Sequence, residues 1–215
     1  MTNESVEPTE LYVRLMQEVK ERLFLFDKYL GAPLTELIPS DFLIEMCFLQ
    51  HRLICETLAH GCLVAHGEMI DAPETRGLLK ESDAGIIIKR LEKLLPDFFP
   101  RPVVIGETSV IVRGCSQAIT ALAPSQADYL TKAEFLLLYA KCDESLHRGS
   151  MDKIFLRKSL SLERQQIVAW RDKLVRLLEL HVITFLGGQT HWLCALSDAD
   201  RGGCVSLAPM KAREV

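Results

Sequence analysis

Two short stretches hold the side chains of this chain that could act together chemically. The first is Thr131–Ser150, TKAEFLLLYAKCDESLHRGS, which ends in Lys141, Asp143, Glu144, His147 and Arg148. The second is CFLQHRLICETLAHGCLVAHGE, where Arg52 and Glu56 stand four residues apart and His60 follows one turn later. On a helix, Asp143 and His147 share a face, so the carboxylate could orient the imidazole. A histidine titrating near neutrality can serve as a general base, and a neighbouring cation can stabilise charge on a phosphoryl group. The plainer account is also open. Cations are favoured at a helix C-terminus, i,i+4 pairs form on solvated faces, and Arg52 with Glu56 can be an internal ion pair that fixes helix register.

The elements that must position these residues read as helices. Thr131 followed by Glu134 is a capping box, and Phe135, Leu138, Cys142 and Leu146 form the apolar face behind it. Residues 41–67 are apolar almost all round, which suits a central helix of a bundle or one buried against a partner. Gly61 inside that helix costs roughly 1 kcal/mol relative to alanine, so it marks a close helix crossing. Further helices are expected over residues 9–30, 84–95 and 161–180. Pro96, Pro100 and Pro102 end helix there. Residues 103–112 read either as a hairpin turning at 106–109 or as an irregular loop, and 116–122 as a short amphipathic turn. The tail, with strands at 181–186, 190–196 and 204–208, reads as a small antiparallel sheet. The expected fold is mainly α: a bundle of about five helices over residues 1–180, with a small C-terminal β element over 181–215.

Composition narrows the function classes. The 215 residues are 48% hydrophobic and 25% charged, as in an ordinary globular domain. A net charge of −4 gives no general basic footprint, so nucleic-acid binding would need a local basic patch. No uninterrupted apolar run reaches the roughly 18 residues of a membrane span. The acidic, polar start is unlike a secretory signal. Seven scattered cysteines without a Cys-x-x-Cys pair suit free thiols in a reducing cytoplasm, the expected location. Cys47, His51 and Cys55 span about 12 Å along a straight helix, too far to share one tetrahedral ion, and no metal or cofactor is expected. No Gly-rich phosphate loop, nucleophile elbow or His-Glu-x-x-His motif is present.

Taken together, the Arg52–Glu56 spacing and LLLYAKCDESLHRGS resemble the HEPN superfamily of prokaryotic helical proteins, over roughly residues 40–150. That resemblance implies a dimerising helical bundle in a bacterial stress or defence role, binding RNA or cleaving it without metal by attack of the 2′-hydroxyl. It carries His147 onto the family's histidine as general base, with Lys141 or Arg148 as the phosphate cation and Arg52 with Glu56 as the orienting pair. Position 141 is lysine where the active family pattern has arginine, and lysine lacks the planar fork that grips a phosphate twice. The other arginine–histidine pair at this spacing, Arg176 and His181, falls at a helix–strand junction and reads as coincidence. The contrasting expectation is a non-enzymatic interaction module, antitoxin-like or a scaffold, that binds a protein partner through its long apolar helix.

Overall fold

The computed structural model describes residues 7–31, 40–66, 77–112, 115–146, 160–185 and 190–210. Its helices are α1 (Pro8–Gly31), α2 (Ser40–Ala65), α3 (Ala84–Leu94), α4 (Lys132–Leu146) and α5 (Leu160–Leu178). Its strands are β1 (Arg101–Val112), β2 (Cys115–Pro124), β3 (Leu180–Phe185), β4 (Thr190–Asp198) and β5 (Cys204–Met210).

Helix α2 lies at the centre because it is apolar on nearly every side. It packs against α1, α3, α4, α5 and β3. Ile54, Cys55, Leu58, Ala59 and Cys62 are fully buried, beside Tyr12, Met16 and Phe26 of α1 and Phe135 and Leu138 of α4. Gly61 marks the crossing with α1: a Cβ there would lie 3.1 Å from Met16 Cε and 3.3 Å from Tyr12 Cε2.

Local signals shape the shorter elements. The capping box is formed, with Glu134 N–H donating to Thr131 Oγ1 at 3.3 Å and Thr131 N–H donating to Glu134 Oε2 at 3.0 Å. Asp83 caps α3 by accepting from Ile86 N–H at 2.8 Å. Helix α3 turns Ala84, Ile87, Ile88 and Leu91 inward. Ion pairs then join neighbouring helices: Arg171 grips Asp27 with two hydrogen bonds of 3.0 and 2.7 Å, and Lys173 reaches Glu134 at 2.6 Å.

The expected small C-terminal sheet is larger than the sequence implied. Five antiparallel strands form one sheet in the order β2-β1-β3-β4-β5. The tail supplies three of them, and residues 101–124 supply the other two. Residues 103–112 therefore form one unbroken strand with no turn at 106–109, and 116–122 is a strand where a helical turn was expected. Proline keeps this region out of helix, and a short run of small and β-branched residues fits either period until a partner strand decides it. Pairing of β1 with β3 is confined to Arg101↔Val182 and Pro102↔His181. From Val103↔Pro124 to Val112↔Cys115, β1 registers only with β2 among the described residues, as a two-stranded ribbon leaving the sheet.

Candidate functional site

The α2–α4 contact builds the polar cluster. Arg52 Nε donates to Glu56 Oε1 at 3.0 Å, and its Nη1 donates to Asp143 Oδ1 at 2.5 Å. The guanidinium lies over the Tyr139 ring, 5.6 Å from its centroid, and the Tyr139 hydroxyl donates to Glu56 Oε1 at 3.4 Å. Tyr139 and Asp143 are i,i+4 on α4, so both meet the same arginine. The packing of α4 on α2 sets this geometry.

Charge and burial determine what the cluster can do. Burial works against the Arg52 charge, but hydrogen bonds to Glu56 and Asp143 outweigh it and hold the guanidinium pKa above its ordinary value. Burial pushes the Tyr139 hydroxyl to about 12, assisted by Asp83 and Glu56. Cys142, just before Asp143, is pushed to about 12 by burial against the opposing pull of Arg52. At neutral pH neither hydroxyl nor thiol is a nucleophile or base.

The expected site residues do not all converge. Arg52 and Glu56 meet, and Asp143 joins them. Lys141 pairs with Glu144 at 3.1 Å. It stands two residues from both Tyr139 and Asp143, which places it on the other side of α4 from Arg52. His147 and Arg148 lie outside the described residues. His60 turns away from the cluster and contacts the Glu81 carbonyl at 3.2 Å. Arg176 and His181 go to separate partners: Arg176 donates to the Asp128 carbonyl at 3.0 Å, and the His181 ring lies between Tyr12 and the Leu178 carbonyl. The α2–α4 region thus sets two cations, Arg52 and Lys141, against three carboxylates, Glu56, Asp143 and Glu144, and both cations already hold carboxylates.

Other groups of interest are sealed in the core. The His181 Nδ1–H donates to the Leu178 carbonyl at 3.0 Å, which leaves Nε2 to accept from the Tyr12 hydroxyl at 2.8 Å. Burial lowers the His181 pKa to about 4 and the His51 pKa to about 3. The His51 ring stacks on Phe26 at 4.7 Å and neither nitrogen has a hydrogen-bond partner. Among the described residues, no three His, Cys, Asp or Glu side chains converge on a possible metal position. The apolar faces of α2 are likewise covered by the chain's own elements, which removes the surface on which a partner helix would sit.

Two features were not visible in the chain read by itself. Among the described residues, Lys80, Lys89, Arg90, Lys93 and Arg101 are the cations without a partner, and Lys89, Arg90 and Lys93 share the outer face of α3. Their signal was the i, i+1, i+4 spacing opposite the Ile87–Leu91 face. The second feature is the β1–β2 ribbon, where Val104 and Ile105 are 49% and 59% exposed at its base. No described helix is long and apolar enough to cross a membrane. Comparison of the chain with family models, curated proteins and solved structures finds no match.

Proposed function

We propose that this chain is a non-enzymatic interaction module whose contact element is the β1–β2 ribbon. The observation carrying this reading is the ribbon itself. Ten residue pairs continue beyond the five-stranded part of the sheet, and Glu107 is the single charged residue across 103–112 and 115–124. An isolated two-stranded hairpin is marginal in water, and exposed apolar surface of this kind marks contact sites. The saturated Arg52 cluster supports the same reading, because a guanidinium held by two carboxylates offers no fork to a phosphate. The test replaces residues 105–122 with Asn-Gly, which closes the Val104–Ala123 pair with a two-residue turn. Intact chain should retain binding partners in affinity capture that the shortened chain loses at equal thermal stability. Equal capture by both would refute the reading.

A second reading, RNA binding in keeping with the HEPN resemblance, is favoured by the unpartnered cations on α3. It places phosphates along Lys89, Arg90 and Lys93, away from Arg52, and makes contact electrostatic. Lys89→Glu, Arg90→Glu and Lys93→Glu together should then abolish salt-sensitive tRNA binding. Binding unchanged in the triple variant would remove this reading.

A further inference from the structure

The sheet has two edges, and they differ in kind. At one edge, β5 is short, carries Pro209 in its interior, packs against α1, and has a register irregularity with β4 between Ala195 and Asp198. Proline, irregular register and covering elements are what blunt an edge against pairing. At the other edge, β2 runs for 10 residues in unbroken register. It carries no Lys, Arg, Asp or Glu, and its one proline, Pro124, is its last residue. That edge has none of the protection that β5 has.

Register also distributes the ribbon's apolar residues over both faces. Ile105, Ile111 and Leu122 fall on one face, while Val104, Val110 and Ile119 fall on the other. Ten pairs at about 3.3 Å per residue make a ribbon roughly 33 Å long, and two strands make it roughly 10 Å wide. Each face then offers about 300 Å² and both together about 600 Å², of the same order as the roughly 800 Å² per partner in a standard stable interface.

We infer that the occupant of this edge is a second copy of the chain, with β2 of each copy paired antiparallel to β2 of the other about a two-fold axis. An antiparallel edge is self-complementary under such an axis, and pairing closes both open edges at once. The near absence of charge suits the desolvated core of a symmetric interface and leaves nothing to select a charged foreign partner. The inference rests on the interaction-module reading and names its partner. It places the dimer contact on the ribbon and leaves the α2–α4 cluster outside it.

The experiment is sedimentation equilibrium of the full chain from about 1 to 200 µM, alongside Ile119→Lys, with amide exchange followed over residues 115–124. Wild type should reach twice the 24.3 kDa chain mass. Its β2 amides should become protected as the dimer forms. A lysine at position 119 places an unpaired cation in both copies of the contact and should raise the dimer dissociation constant roughly a hundredfold or more. If Ile119→Lys merely disordered the ribbon, the concentration-dependent protection of wild-type β2 would still carry the inference. A dimer unaffected by Ile119→Lys, or one forming without β2 protection, would overturn it. A monomeric wild type would overturn it as well. In that case, ribbon-dependent capture of a different protein would preserve the module reading, and its absence would end both.

Discussion

Replacing His51 with leucine should remove a large share of the protein's sensitivity to acid. His51 is fully buried, with its pKa lowered to about 3 by burial alone. In the unfolded chain the ring titrates near 6.5. Below that pH the unfolded state takes up a proton that the folded state refuses, so stability falls as pH drops from about 6.5 toward 3. Between pH 8 and pH 5 the loss is about 2 kcal/mol for this one group, from 1.5 pH units at about 1.4 kcal/mol each. His181, lowered to about 4 by burial, loses about the same amount over that interval. His66, also lowered by burial, adds in the same direction. Wild type should therefore lose about 4 kcal/mol or more from its histidines, a large part of an ordinary folding free energy. His51→Leu should lose about 2 kcal/mol less. At pH 8 it should match or exceed wild type, because leucine removes two buried nitrogens without partners and keeps an apolar contact with Phe26. Urea denaturation at pH 8 and pH 5 measures both quantities, and carboxylate contributions cancel between the two proteins. An equal acid loss in both would refute the burial argument.

Three further outcomes follow from the packing. Tyr12→Phe leaves His181 Nε2 buried without its donor, and should cost about 1–3 kcal/mol in urea denaturation. Gly61→Ala gains roughly 1 kcal/mol of helix propensity but places a Cβ against Met16 and Tyr12, whose ring is anchored by His181, so the melting temperature should fall. A rise would show that the α1–α2 crossing has slack. For Arg52→Ala and Asp143→Asn, a double-mutant cycle should return a coupling below about 1 kcal/mol, because the pair is half exposed at Asp143. A coupling of several kcal/mol would mean that the α2–α4 contact is far drier than this geometry implies.

The parts of the fold that were legible were those written locally. The Thr131–Glu134 capping box, the inward face of α3 and the Gly61 crossing each depend on residues within a turn or two, and each occurs where the sequence placed it. The tail strands were legible through their glycine-bounded alternation. Residues 103–124 were not, because their period becomes defined only when β1 and β2 lie side by side. Among the site residues, the Arg52–Glu56 pair was readable from its i,i+4 spacing. Its third partner, Asp143, is 91 positions away, and the Tyr12–His181 bond spans 169. No local rule reports such pairs, since helix packing alone decides which residues meet.

The most direct test of a contact-making, non-catalytic role is incubation of total tRNA with the wild-type chain in EDTA, beside His147→Ala at matched fold stability. The account predicts that the tRNA stays intact with both proteins. Cleavage by wild type that vanishes in His147→Ala, leaving 2′,3′-cyclic phosphate ends, would contradict it and establish a metal-independent ribonuclease.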